Sequence, residues 1–227
     1  MFRDKEALLL DMNSTFMFGE DRFGDDEDYS AYYQSIGGTL PGDRVNDLIR
    51  KAYHYLDVRY PSEEYRHNFP SLRSAIEATS PDRLSPVETD KIIETFSFHE
   101  HGYIPDEYAT TLEALHKKYT LSLVIDIWSP RDMWVSTFRR RGLWDLFSAY
   151  SFSSDHGMVK PSPRPFEMIV EQLGVPTEKC LVIGDSVRRD LGGAYAAGID
   201  CVLVGRANDA RAVGSFPNLL DFQAAVQ

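Results

Sequence analysis

Residues 180–198, CLVIGDSVRRDLGGAYAAG, decide the fold. A short apolar run ends in Gly184-Asp185, and a helical pattern follows, with Leu191, Ala194 and Tyr195 on one face and Gly198 as its stop. Glycine lets the backbone turn sharply at the strand end, so Asp185 is left at the tip. A second apolar run, 202–204, comes next, which makes the segment a strand–helix–strand unit.

The same alternation recurs along the chain. Apolar runs at 7–10, 121–127, 181–183 and 202–204 read as buried parallel strands, with 149–152 a weaker fifth. A helix from about 131 to 141 is expected to end at Gly142. Another starts near Pro165, carries Phe166, Ile169, Val170 and Leu173 at helical spacing, and stops at Gly174. Such alternation predicts an α/β fold, a Rossmann-like doubly wound parallel sheet with right-handed crossovers. Ligands of such sheets lie beyond the carboxyl ends of the strands.

Residues 16–105 break the pattern, and a structureless loop of that length does not belong in a compact domain. Val45, Leu48, Ile49, Ala52 and Leu56 follow helical periodicity, with Asp43 as the expected cap. In SPVETDKIIETF, Ser85 reads as an N-cap, Pro86 as first-turn residue and Glu88 as the return partner of a capping box. The chain therefore divides into an α/β core of residues 1–16 and 106–227 and a small α-helical cap domain of residues 17–105.

Composition narrows the function. Of 227 residues, Lys and Arg number 24 against 35 Asp and Glu, a formal charge of -11 that repels nucleic acid. No apolar run is long enough to cross a bilayer, and no leader precedes the first strand, so a soluble, cytoplasmic protein is expected. The two cysteines, Cys180 and Cys201, open apolar runs and read as buried thiols. His99 and His101 lack a third ligand and read as loop residues.

In EALLLDMNSTF, residues 6–16, the first strand ends in Asp11. Asp11 and Asp185 at neighbouring strand ends form a hard-oxygen site suited to Mg²⁺, which takes few protein carboxylates and leaves positions for water and phosphate oxygens. Lys160, just ahead of the helix at Pro165, offers a point charge to Asp11 and to a phosphoryl group. Ser129, placed at the end of LSLVIDIWS, offers a hydroxyl to a phosphoryl oxygen. Asp190 follows Asp185 by five residues.

With these residues in place, the chain resembles the haloacid dehalogenase-like (HAD) hydrolase superfamily, in the subgroup whose helical cap follows the first motif. Residues 11–15, Ser129, Lys160-Pro161, and Gly184-Asp185-Ser186 with Asp190 carry the likeness, which spans nearly the whole chain. The resemblance implies an aspartyl-phosphate on Asp11. It also implies Mg²⁺ held by Asp11, the main-chain carbonyl of Asn13 and Asp185, with Asp190 as a direct or outer support. The expected activity is hydrolysis of a small phosphorylated metabolite.

Asn13 departs from the pattern, because the phosphatases place an aspartate there to protonate the leaving oxygen and then activate water. An amide cannot carry that proton. Three readings stay open: a slow phosphatase, a binding or regulatory protein that scarcely turns over, or different chemistry, phosphonatase- or dehalogenase-like. Phosphonatase chemistry needs a cap lysine, Lys51 or Lys91. The acidic run at 20–28 is a candidate flap over the pocket that would disfavour highly anionic substrates and accept a cationic group. Arg59, Arg66 and His67 are further substrate-contact candidates. Arg188 and Arg189 read as solvated.

Overall fold

The computed structural model describes residues 2–227. Strands β1 (Ala7–Leu10), β2 (Thr120–Ile125), β3 (Phe147–Phe152), β4 (Cys180–Gly184), β5 (Asp200–Val204) and β6 (Gly214–Phe216) form one sheet in the order β3-β2-β1-β4-β5-β6. Every pairing is parallel. This is the Rossmann-like strand order, and it puts a topological switch point between β1 and β4.

Alternation along the strands fills two layers. Leu8, Leu10, Leu121, Leu123, Leu181 and Ile183 face one cluster, covered by helices α5 (Asp106–His116), α6 (Asp132–Arg140) and α10 (Leu219–Val226). Ala7, Leu9, Val182, Cys201 and Leu203 face the other, covered by α8 (Arg164–Leu173) and α9 (Gly192–Ala196). Each buried leucine contributes roughly 1.5–3 kcal/mol over leaving it exposed, so β1, with all four side chains buried, is a strong anchor for the residue that follows it. A single helical turn, Ser153–His156, follows β3.

Between Phe16 and Pro105 the chain forms four α-helices, α1 (Ser30–Ser35), α2 (Gly42–Asp57), α3 (Leu72–Thr79) and α4 (Pro86–Glu100). They enclose an apolar cluster of their own, built on Tyr29, Tyr33, Val45, Leu48, Ile49, Ile92 and Phe96. The chain enters and leaves this unit at one place: Phe18 and Tyr103 pair antiparallel, with reciprocal N–H···O bonds of 2.9 and 2.8 Å. Gly102 is required at that crossing, since a Cβ there would lie 2.6 Å from the Phe18 carbonyl oxygen.

Several local expectations need correction. The helix at Gly42 is preceded by Pro41, and Asp43 sits inside the first turn without capping it. Ser85 does cap the helix at Pro86, accepting from the Glu88 N–H. Glu88 does not return the bond, because its carboxylate is taken by the Tyr33 phenol and the Thr39 hydroxyl. Tyr195 points to solvent at 67% exposure, because a π-helical turn at Val187–Leu191 precedes α9 and rotates its face. His99 is helical and buried, not a loop residue. The short edge strand β6 and α10 were not anticipated.

Candidate functional site

Register brings the catalytic candidates together. Leu10 lies opposite Ile183, so Asp11 falls beside the end of β4, and Gly184-Asp185 follows on that strand. The Asp11 N–H donates to the Ile183 carbonyl at 2.9 Å, which fixes the carboxylate at the sheet edge. Thr15 donates to Asp11 Oδ2 at 3.0 Å.

Lys160 is 2% exposed, and its Nζ donates to Asp11 Oδ1 at 2.5 Å, Asp190 Oδ1 at 2.7 Å and the Val124 carbonyl at 3.1 Å. Three acceptors use all three ammonium donors, and a buried cation is tolerated only with such pairing. Burial alone would lower its pKa, but Asp11, Asp190 and Asp126 raise it above the ordinary lysine range, so it stays charged. Asp190 accepts from the Ser186 N–H through its other oxygen at 3.0 Å. Its carboxylate packs where a side chain on residue 184 would be: a Cβ there would come 2.3 Å from Asp190 Cγ, so only glycine fits.

Asp11, Asp185 and Asp190 each place a ligand oxygen within 4.8 Å of the others. Burial and the two neighbouring carboxylates push the Asp185 pKa up to about 6. Asp185 Oδ1 is buried and has no hydrogen-bond partner, and its nearest cation, Arg189, is 3.9 Å away. An orphaned carboxylate oxygen among hard donors fits a divalent cation such as Mg²⁺. Both oxygens of Asp11 and both of Asp190 already accept hydrogen bonds, so Asp185 Oδ1 is the unengaged carboxylate oxygen of the three, and Asp190 also orients Lys160.

Beyond these groups lies a cavity of about 190 Å³ lined by Asp11, Asn13, Lys160, Arg189 and residues of the helical unit. Asn13 thus reaches the cavity, and its Oδ1 is buried without a partner. Ser129 does not reach it. Strand β2 ends at Ile125, so the residue delivered to the cavity is Asp126, whose carboxylate accepts from the Tyr60 phenol at 2.6 Å and the Lys160 N–H at 3.0 Å. Ser129 is fully buried and donates its hydroxyl to Glu100.

Glu100 ends the helix at Pro86 and also accepts from the Trp128 N–H at 2.6 Å and the Ser129 N–H at 3.0 Å. It is 4% exposed with no cationic partner among the described residues, and burial pushes its pKa up to about 7. Between the unfolded value near 4.5 and about 7 the folded chain binds a proton that the unfolded chain does not. Stability from this group is therefore present below that window and lost as pH rises through it, by about 3 kcal/mol at most. Glu100→Gln is expected to narrow the difference in unfolding free energy between about pH 5 and about pH 8, read by urea denaturation.

Of the acidic run, only Glu20 and Asp21 line the cavity. Arg22 ties the segment down by donating to the Gly19 and His101 carbonyls at 2.8 Å each, and Glu27 lies 3.1 Å from His99. Lys51 pairs with Asp47, and Lys91 donates to the Gly37 carbonyl, so neither reaches the site. Arg59 stacks on the Tyr55 ring, Arg66 pairs with Glu63, and His67 contacts Ser162. Arg189, read as solvated, turns inward to the cavity, whereas Arg188 donates to the Pro61 carbonyl. A larger cleft of about 750 Å³ lies between the helices at Leu72 and Pro86 and α6, but none of the charged groups gathered around Asp11 lines it.

The helical insertion contributes Tyr53, Asp57 and Tyr60 to a cavity at the switch point of the parallel sheet, above the side chains gathered around Asp11. A family profile described as haloacid dehalogenase-like hydrolase matches residues 6–198. The chain is 27% identical over 185 residues to "Pyrophosphatase PpaX" of Halalkalibacterium halodurans, covering 76% of this chain and 81% of that protein. It is 23% identical over 201 residues to "Glyceraldehyde 3-phosphate phosphatase" of Methanopyrus kandleri, covering 88% and 84%. A crystal structure of 2-haloacid dehalogenase from Pseudomonas syringae pv. Tomato DC3000 shares the fold, with a TM-score of 0.66, 22% identity and 98% coverage of both chains. The chain belongs to the haloacid dehalogenase-like hydrolase family and is an enzyme.

Proposed function

We propose that this enzyme is a Mg²⁺-dependent phosphatase of a small phosphorylated metabolite, acting through an aspartyl-phosphate on Asp11. The observation that carries the reading is the orphaned Asp185 oxygen beside Asp11 and the Asp11–Lys160–Asp190 chain. A haloacid dehalogenase attacks carbon and has no use for a cluster of metal-ligating carboxylates. The names of the two relatives point to phosphorylated small molecules.

Asp11 attacks phosphorus, the P–O bond to the leaving group breaks, and the phosphoryl group passes to the carboxylate. Water then hydrolyses the acyl phosphate and regenerates Asp11. Lys160 holds Asp11 in position and stabilises charge on the equatorial oxygens. Asp11, Asp185 and, by family resemblance, the main-chain carbonyl of Asn13 would hold Mg²⁺, which would supply positive charge to offset repulsion between Asp11 and the phosphate dianion. Asp190 supports Asp185 and Lys160. The leaving oxygen takes its proton from solvent or substrate, because Asn13 has none to give, and the acyl phosphate is correspondingly long-lived. Residues 17–105 serve as the cap whose closure excludes water. No helix of the described residues is long and apolar enough to cross a membrane, and the buried free cysteines suit a cytoplasmic setting.

Phosphate release from a metabolite panel, with Mg²⁺ and after chelation, tests the reading together with acid-quenched mass spectrometry of Asp11. Mg²⁺-dependent release with a phosphorylated Asp11 peptide is expected. Phosphorylation that forms once and is never released would mark a regulatory binder, and the absence of both would end the proposal.

A further inference from the structure

The cavity beside Asp11 holds features that phosphoryl transfer does not use. Three aromatic rings stand in its wall: Tyr53, from the helix at Gly42, Tyr60 just beyond that helix, and Trp128 from the loop after β2. Trp128 is the hub, with the Tyr53 ring at 5.3 Å and tilted by 46°, and the Tyr60 ring at 5.6 Å and 73°. The rings are set at angles to one another rather than stacked in parallel, and an aromatic wall of this kind suits an organic cation.

Charge points the same way. Five carboxylates line the cavity, those of Asp11, Glu20, Asp21, Asp57 and Asp126, against only two cations, Lys160 and Arg189. Lys160 is consumed by Asp11 and Asp190, and Arg189 lies between Asp185 and the Tyr60 ring. Asp57 and Asp21 have no hydrogen-bonding or ion-pairing side chain among the described residues. A phosphate dianion entering this space adds negative charge, and a divalent metal offsets only the part next to Asp11. A second anionic group on the substrate would meet the free carboxylates of Asp57 and Asp21, whereas a cation there is paired by them and faced by the rings.

We infer that the substrate is a short phosphate monoester bearing an ammonium group, with the phosphate at Asp11 and the cation seated among Tyr53, Tyr60, Trp128 and Asp57. The small cavity volume limits the linker to a few atoms. This assignment rests on the phosphatase reading for its phosphate end, while the aromatic and acidic wall stands on its own observations.

The test compares O-phosphoethanolamine and phosphocholine with ethylene glycol monophosphate, which keeps the phosphate and linker but lacks the charge. Binding to the Asp11→Asn chain with Mg²⁺ is measured by calorimetry, and kcat/KM is measured on the native chain. At least one ammonium ester is expected to bind roughly tenfold to a hundredfold more tightly than the uncharged one. Asp57→Asn and Trp128→Leu are each expected to shrink that ratio severalfold. Equal binding of the three esters, or a ratio untouched by both substitutions, overturns the inference. Failure of the phosphatase reading shows separately, as absence of Mg²⁺-dependent p-nitrophenyl phosphate hydrolysis by the native chain, and leaves the binding comparison intact.

Discussion

Asn13→Asp is expected to raise the turnover of alkyl phosphate esters by about 10²–10⁴-fold, the usual worth of a positioned acid–base group. The site is ready for it, because Asn13 already lines the cavity next to Asp11 with a buried, unpartnered side-chain oxygen. Metal affinity should change little, since by family resemblance only the main-chain oxygen of residue 13 serves the cation. The two half-reactions separate with p-nitrophenyl phosphate, whose phenolate leaves without a proton. The native chain should release one nitrophenolate per site in a burst and then turn over slowly, as the acyl phosphate waits for an unactivated water. In Asn13→Asp the burst should give way to a linear course. A variant no faster than the native chain on any ester would mean that the amide serves a chemistry other than phosphate hydrolysis.

Lys160→Met is expected to damage both activity and stability. Removing the ammonium leaves Asp11 and Asp190 facing each other, both nearly excluded from water, and breaking such a buried pair costs about 3–5 kcal/mol. Asp190, whose pKa burial already pushes up to about 6, would respond by binding a proton more readily, its folded pKa rising further above the unfolded value. The penalty should therefore be full around pH 8 and shrink as the solution is acidified towards about pH 4, which paired denaturation curves would resolve. Phosphatase activity should fall by at least about 10³-fold, since transition-state charge and the state of the nucleophile are lost together. A variant with native stability at both pH values would show that the Lys160 contacts are energetically idle.

Much of this site is legible in the sequence because its residues sit where apolar runs stop. Asp11, Lys160, Asp185 and Asp190 each follow or flank a strand or helix that periodicity alone reveals. The second strand shows the limit of that logic. Asp126 and Ser129 both follow the same apolar run, and the choice between them depends on where the ladder with β1 ends, a fact about a segment more than a hundred residues away. Glu100 then captures Ser129 from the end of the helix at Pro86, and no local pattern announces a contact between two elements so far apart. The aromatic wall is hidden for the same reason: Tyr53, Tyr60 and Trp128 are brought together only when the insertion folds back over the sheet. Strand β6 has three residues and no apolar alternation, so nothing but pairing with β5 defines it.

The antiparallel bond pair between Phe18 and Tyr103 means that the long excursion returns to within one peptide spacing of where it departed. An insertion whose two ends touch is a cassette, because its exchange for a relative's version asks nothing new of the sheet it hangs from. The residues proposed for the chemistry stay on one side of that seam, and most of those proposed to face the rest of the ligand lie on the other. Grafting across the seam would therefore change what the enzyme accepts while leaving how it cleaves untouched.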